Sequence, residues 1–307
     1  MTDVLMLDDA ALAGLGITNS EIVTAIETAL KAQRKGEVTA APKASAIAPD
    51  GRYMMATLSA SDDLGVIAVK SVMVNDRNKA RGLAGINGAI MLLDAETGLL
   101  RAVIGANWVT AVRTAGLSAV AAKRLADPQS ETLALIGTGV QAESHMRAFH
   151  DMFPLQHVRA YGRGKAGIEK TRAVAEELGL SFEAGDPQSC LHGADIVVSS
   201  VTLDYSIKPF LDANWLKPGA FAAITDLGIP WHDEGQSAFG RVFVDDLAQE
   251  RAMDKPMVAP DLISGELADL VVNGAEFDPR LRSAFIFRGI AVGDLAVASL
   301  ALDKATA

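Results

Sequence analysis

Cysteine is nearly absent. Cys190 stands alone in 307 residues, which excludes an internal disulfide and any cysteine-rich metal site and fits a reducing cytoplasm. No partner motif surrounds it, so it reads as a bystander rather than a nucleophile. Basic charge is in deficit as well. Lys and Arg number 28 against 38 Asp and Glu, a net charge of −10, which excludes the concentrated basic face that nucleic acid needs. No charge-free run reaches membrane-spanning length. Met1-Thr2-Asp3-Val4 lacks a basic stretch leading into an apolar core, so no secretory signal is expected and the location expected is cytoplasmic. Repeats, low-complexity tracts and charge blocks are also missing. What is present is a chain that is 50% hydrophobic and 21% charged, the balance of a soluble globular protein long enough for two domains.

The stretch that organises this chain is Leu133-Ala134-Leu135-Ile136-Gly137-Thr138-Gly139-Val140-Gln141-Ala142. Its apolar run suits a parallel strand buried on both faces. Gly137 permits a tight turn, Gly139 lets backbone N–H groups approach a pyrophosphate, and Ala142 is small enough for the next helix to lie against the strand. An anion would then sit at the positive end of that helix. Taken alone, the motif is shared by dinucleotide sites and plain strand-to-helix turns, so the neighbouring segments have to decide.

Ahead of it, residues 22–34 place apolar side chains at 22, 23, 26 and 30, one face of an amphipathic helix with Asn19 or Ser20 as its cap. From 38 to 74, short segments broken by Pro42 and Pro49-Asp50-Gly51 predict an antiparallel or mixed sheet. Lys70 falls in the most apolar of these strands. The alternation 66, 68, 70, 72 gives it the same face as three apolar residues; the other reading is a lysine on the solvent face of a half-buried strand. An ammonium held inside needs a partner or a shifted pKa, and could donate a proton or bind a substrate carboxylate. Residues 75–81 form a polar loop with Arg77, Lys79 and Arg81, which reads as a solvated surface. Residues 90–104 read as a hairpin with Gly98 at a left-handed position. Residues 109–125 are an alanine-rich helix carrying Arg113. Its fork could hold a carboxylate, or the side chain could snorkel to the surface.

After the glycine turn, strands are expected at 158–161, 181–184, 196–198, 221–224 and 242–244, with a helix at 165–178. This is a doubly wound parallel sheet whose ligands lie at the carboxyl ends of its strands. Asp226 is at such an end, either as a loop cap or as a group facing a nicotinamide, and the irregular apolar Leu227-Gly228-Ile229-Pro230 after it favours the second. The second strand runs into Gly162-Arg163-Gly164-Lys165, with no acid to take a ribose 2′-OH. Arg163 and Lys165 make a 2′-phosphate admissible, so the expected cofactor is NAD(P)(H) with a lean towards NADP. The small, apolar helix of 290–301 returns to the first domain. The fold expected is therefore α/β: a Rossmann-like doubly wound parallel sheet over 114–288, inserted into a second, α+β domain made of 1–113 and 289–307.

Three runs, Leu93-Asp94-Ala95-Glu96-Thr97-Gly98, Thr110-Ala111-Val112-Arg113-Thr114-Ala115 and Ile136-Gly137-Thr138-Gly139-Val140-Gln141-Ala142, together resemble the ornithine cyclodeaminase/mu-crystallin family in order and spacing, over nearly the whole chain. The resemblance implies a homodimer with a Rossmann domain and a separate substrate-binding and dimerisation domain. It also implies use of NAD(P). The family's chemistries include cyclodeamination of ornithine or lysine, alanine dehydrogenation and reduction of ketimines or imino acids; some vertebrate members bind thyroid hormone. Lys70 and Arg113 match its substrate-carboxylate and acid/base positions, and Asp226 its aspartate near the nicotinamide. Two departures stand out. Lys43 falls where many members carry arginine, a point charge in place of a fork, and Asn107-Trp108 replaces a common Asp-Gly. The expected function is an NAD(P)H-dependent reductase of a small imino acid, reversible as an L-amino-acid dehydrogenase. In it Arg113 and Lys43 hold the carboxylate, Lys70 acts at the imine nitrogen, and Asp226 steadies the iminium charge. Gly137, Thr138, Gly139, Val140, Gln141 and Arg163 hold the cofactor, and no metal is called for. The cations of 77–81 make an acidic substrate such as iminosuccinate conceivable. The alternatives are an ornithine or lysine cyclodeaminase with tightly bound NAD, and a crystallin-like binding protein without turnover.

Overall fold

The structure, a computed structural model, describes residues 4–202 and 204–307, apart from the side chains of Asp76 and Lys79. The chain divides into two compact units, Met1–Arg113 with Ile290–Ala307, and Thr114–Gly289.

The first unit begins with β1 (Leu5–Leu7), α1 (Asp9–Ala13) and α2 (Asn19–Arg34), followed by the strands β2 (Val38–Ala40), β3 (Ala44–Ile47), β4 (Tyr53–Ser61), β5 (Val66–Val74), β6 (Ile86–Asp94) and β7 (Leu100–Gly105). Helix α3 (Ala106–Leu125) then carries the chain out of this unit. Its sheet has the order β1-β7-β6-β5-β4-β2, with β3 paired to β4. All pairings are antiparallel except that of β1 with β7, so the mixed sheet expected for this region is present. The strands alternate as half-buried strands do. In β5, Val66, Ala68, Lys70 and Val72 are buried while Ser71 between them is exposed.

The cap of α2 differs from the expectation. Thr18 precedes the helix in a capping box with Glu21, and Asn19 is already helical. The reason is chemical: Thr18 Oγ1 accepts the Glu21 N–H while the Glu21 carboxylate takes the Thr18 N–H, satisfying two end groups reciprocally. The polar loop of 75–81 is a 3₁₀ helix, Asp76–Arg81, held by Asn75, whose Oδ1 accepts the Arg77 N–H and whose Nδ2 donates to Asn78 Oδ1.

The second unit opens with β8 (Thr132–Ile136), α4 (Val140–His150), β9 (His157–Tyr161), α5 (Lys165–Glu177), β10 (Ser181–Ala184), α6 (Pro187–Leu191), β11 (Ile196–Ser199) and β12 (Phe221–Ile224). It continues through β13 (Arg241–Val244), α7 (Leu247–Arg251), β14 (Ile263–Glu266), α8 (Leu267–Asn273) and β15 (Ser283–Ile286). The order is β10-β9-β8-β11-β12-β15-β13-β14, parallel at every pairing. This is the doubly wound parallel sheet expected. Its central strands are buried on both faces, with Leu133 to Ile136 fully enclosed, which is why they read as continuous apolar runs. Two strands, β14 and β15, lie beyond those expected, and β15 is interior, between β12 and β13. The last helix, α9 (Ala291–Thr306), packs back on α2 and on β4 and β5 of the first unit.

Candidate functional site

In the first unit, strand alternation drives Lys70 inward until its side chain is 1% exposed. Its Nζ lies 2.9 Å from Asp294 Oδ1, in the first turn of α9. Arg113, on α3 and 7% exposed, brings its Nε to 3.1 Å from the same oxygen. Thr57, opposite Lys70 in the sheet register, donates its hydroxyl to Asp294 Oδ2 at 3.3 Å. Two cations thus share one carboxylate in a place with almost no water. The deficit of negative charge is visible at Arg113: its Nη1 is buried with no hydrogen-bond partner, a donor that costs free energy until an acceptor arrives.

The titration behaviour follows from this arrangement. Burial pushes Lys70 down to about 8, with the Arg113 and Lys43 charges adding to the fall and Asp294 opposing it. At Asp294, burial works to raise the pKa, but the Lys70 and Arg113 charges and the hydrogen bonds from Lys70 and Thr57 outweigh it and hold the carboxyl below its usual range. Lys70 and Asp294 are both ionised at neutral pH. Lys43, just before β3, is half-buried and close enough for its charge to act on Lys70. Helix α3 is set by Asp9, whose Oδ1 accepts the Trp108 N–H at 2.8 Å. Gly105 permits that approach, since a Cβ there would lie 2.5 Å from the same oxygen.

Arg77 lies elsewhere in this unit. Its guanidinium donates to the Asp50 carboxylate at 3.2 Å and to the Asp50 carbonyl at 2.8 Å, so its charge is already balanced. Arg81 is exposed, and the side chain of Lys79 lies outside the described residues.

In the second unit, the chain leaves β8 through Gly137 with φ 106°. A Cβ at this position would stand 2.6 Å from the Ser200 carbonyl oxygen, so only glycine fits. Gly139 caps α4 without any side-chain hydrogen bond and would meet nothing within 4 Å if it carried a Cβ. No protein group covers the Gly139 Cβ position, and Val140 beside it is 60% exposed. The Thr138 side chain fills a notch formed by Gly162 and Gly167, where a Cβ would come within 2.5 Å and 2.4 Å of its hydroxyl. Gln141 Oε1 and Ser200 Oγ are buried without partners. An uncapped helix end, bare backbone and unmatched polar atoms fit a dinucleotide pyrophosphate. Arg163 and Lys165 are exposed at the start of α5, which Gly164 caps without a side-chain bond and which has no acid in its first turn. The Asp204 carboxylate lies near enough to feel the Arg163 charge.

Asp226 follows β12 and is 2% exposed. Its Oδ2 accepts the Ser199 hydroxyl and, at 3.0 Å, the Val201 N–H. Burial pushes its pKa up to about 6, against the pull of those two bonds and of the Asp226 and Gly228 backbone N–H groups. The structure thus brings Lys70 and Arg113 together on Asp294, with Lys43 in Coulombic range, and separately groups Gly137, Thr138, Gly139, Val140 and Gln141 at one helix end. Sequence reasoning missed Asp294, Thr57 and Ser199. Asp294 had a signal, as the single charge in the first ten residues of an otherwise apolar, alanine-rich helix.

A family model described as "Ornithine cyclodeaminase/mu-crystallin family" matches residues 4–307. The chain belongs to that family. Within it, the chain is similar to ketimine reductase mu-crystallin of Mus musculus, 28% identical over 256 residues that cover 82% of this chain and 79% of that protein. Iminosuccinate reductase of Paracoccus denitrificans is 32% identical over 254 residues, covering 78% and 77%. Among solved structures, Δ1-pyrroline-2-carboxylate reductase of Thermococcus litoralis, in complex with NADH and L-proline, superposes with a TM-score of 0.89 at 22% identity, over 99% of this chain and 98% of that one. At that identity the likeness is one of fold.

Proposed function

We propose that this protein is an NAD(P)H-dependent reductase of a small imino acid, reversible as an L-amino-acid dehydrogenase. The observation that carries the reading is the buried cluster of Lys70, Arg113 and Asp294, two cations on one carboxylate with Arg113 Nη1 unmatched. Such a cluster is completed by one further anionic group, and an α-carboxylate supplies it. Relatives named ketimine, iminosuccinate and Δ1-pyrroline-2-carboxylate reductase support the choice of substrate class.

Arg113 and Lys43 hold the carboxylate, which fixes the C=N bond beside it. Lys70, protonated at neutral pH, gives its proton to the imine nitrogen. Held by Gly137, Thr138, Gly139, Val140 and Gln141, NAD(P)H would supply hydride for the imine carbon of the protonated imine, the C=N π pair then becoming the amine lone pair. Asp226, ionised above about pH 6, balances the iminium charge. Orientation of this kind can supply about 7–11 kcal/mol of barrier lowering. At the adenine-ribose end, Arg163, Lys165 and the uncapped start of α5 favour a 2′-phosphate, and hence NADPH, although Asp204 offsets part of the Arg163 charge.

The other face of the first sheet supports a homodimer. Leu58, Val69, Met91, Val103 and Met6 are register partners in succession across five strands. Met6, Leu58 and Met91 are 69%, 46% and 43% exposed. An apolar row of that length suits a second copy of the same face, closed by a two-fold axis.

The test is oxidation of NADH or NADPH in the presence of preformed cyclic ketimines or of 2-oxo acids with ammonia or an amine. Turnover supports the reading. Ammonia release from ornithine or lysine without net cofactor oxidation would assign the cyclodeaminase alternative instead.

A further inference from the structure

Ser199 and Trp231 lie near Asp226 and have no part in the reaction described above. Trp231, 1% exposed, donates its indole Nε1–H to Ser199 Oγ at 3.1 Å. Ser199, fully buried on β11, donates onward to Asp226 Oδ2, which also accepts the Val201 N–H at 3.0 Å. Asp226 Oδ1 is buried and within hydrogen-bond range of no donor, although the Asp226 and Gly228 N–H groups lie near the carboxylate and favour its charge.

The direction of this chain is fixed by the donor inventory. An indole N–H can only donate, and a hydroxyl has one hydrogen. The Trp231 bond therefore occupies a Ser199 lone pair, and the Ser199 hydrogen is left to go to Asp226. A proton on Oδ2 would need an acceptor of its own, would face the Val201 N–H, and would strand the Ser199 hydrogen in a buried place. Each of those costs free energy. Oδ2 is thus held as a permanent acceptor.

The backbone supports the same end. Leu227, directly after Asp226, has φ 60°, the single positive value at a non-glycine residue among the described residues. Such a conformation is unfavourable for a residue with a Cβ and persists only where its surroundings impose it. Here it turns the chain sharply. Ile229 N–H bonds the Asp226 carbonyl at 3.2 Å and Trp231 N–H the Gly228 carbonyl at 3.0 Å, which returns the indole to Ser199 on β11, the strand paired with β12. Phe239, its ring centroid 5.8 Å away, packs against the indole.

We propose that Trp231 and Ser199 are positioning residues that select the oxygen through which Asp226 works: Oδ2 is reserved as an acceptor, and Oδ1 alone takes up a proton or meets a cationic nitrogen. This goes beyond the imine-reductase reading and rests on it only for the identity of that nitrogen. One consequence is that Asp226→Asn fits in a single orientation, carbonyl towards Ser199 and amide nitrogen at the Oδ1 place, as a mimic of the acid protonated there.

The test is a carboxyl carbon NMR titration of the full chain labelled at the aspartate side-chain carboxyl, with the Asp226 resonance assigned by its loss in Asp226→Asn. The wild-type midpoint is expected near 6. Ser199→Ala removes a donor to the ionised form and should raise the midpoint by about 1–2 pH units. Ser199→Thr, which keeps the hydroxyl, should restore it. Trp231→Phe should raise it by less, and should add nothing in the Ser199→Ala background, because the indole acts only through the hydroxyl. A Ser199→Ala or Trp231→Phe midpoint that stays at the wild-type value in a folded protein, or shifts that simply add, would overturn the proposal. Should Ser199→Ala fail to fold, Ser199→Thr and Trp231→Phe carry the same comparison. The titration needs neither cofactor nor substrate, so failure of the reductase reading would leave its outcome intact.

Discussion

Asp294→Asn isolates what the shared carboxylate does for Lys70. In the native protein a full negative charge lies 2.9 Å from the Lys70 ammonium, and it is the main force opposing the desolvation that takes Lys70 to about 8. A unit charge at about 4 Å in an effective dielectric near 20 is worth about 4 kcal/mol, or roughly three pKa units. The asparagine oxygen keeps part of that as a hydrogen bond, so a fall of about two units is expected, to a value near 6. At pH 7 the protonated fraction of Lys70 then drops from about nine-tenths to about one-tenth. Imine reduction at pH 7 should fall about tenfold. The pH profile should change in shape too. Native kcat/KM is expected to rise through about 6, as Asp226 ionises, and to fall through about 8, as Lys70 loses its proton. In Asp294→Asn the alkaline limb moves down onto the acid limb, leaving a narrow, low peak near pH 6. The assay is initial-rate reduction of a preformed imine from pH 5 to 9. An alkaline limb that stays near 8 in a folded Asp294→Asn protein would refute the assignment of Lys70 as the proton donor held by Asp294.

Arg113→Lys keeps the charge but loses the fork, and should raise KM for the imino acid by about 10–100-fold with a smaller change in kcat. Gly137→Ala would place a Cβ 2.6 Å from the Ser200 carbonyl at φ 106°, so weaker binding of NAD(P)H by fluorescence titration is expected, together with about 1–3 kcal/mol of lost stability. His145 is fully buried, bonded to the Gln141 carbonyl at 2.8 Å and to Ser118 Oγ at 2.9 Å, and burial pushes its pKa down from 6.5 to about 4. A depressed pKa contributes stability that is complete above 6.5 and lost as pH falls towards 4, here up to about 3 kcal/mol; urea unfolding should show this slope in the native chain and its loss in His145→Gln. Met91→Glu, in the middle of the apolar row, should shift the protein from dimer to monomer in sedimentation velocity.

Much of this architecture could be read from local pattern. The turn at Gly137 needs a residue without a Cβ, so the glycine had to appear in the sequence. The inward face of Lys70 follows from the two-residue period of a strand, and the parallel strands declare themselves by apolar runs. The partners were not legible. Asp294 is 224 residues from Lys70, and nothing local to either says which carboxylate meets which ammonium. Arg77 looked like a spare cation in a polar loop because Asp50, 27 residues earlier, belongs to a different turn. Thr18 was passed over for Asn19 and Ser20 because all three can cap a helix, and only the reciprocal bond with Glu21 separates them. Strand β15 is no shorter than β10, β11 and β12, and its apolar Ala284-Phe285-Ile286 run was a signal left unread, yet the middle of the sheet depends on it.

The central claim, net reduction of an imino acid, is tested most directly by following deuterium. With NAD(P)H labelled at the transferable position and a preformed imine, the account predicts one deuterium at the former imine carbon of the amino-acid product for each cofactor oxidised, abolished in Lys70→Ala while cofactor binding persists. A product without deuterium, turnover without net oxidation of the cofactor, or an active Lys70→Ala protein would contradict it.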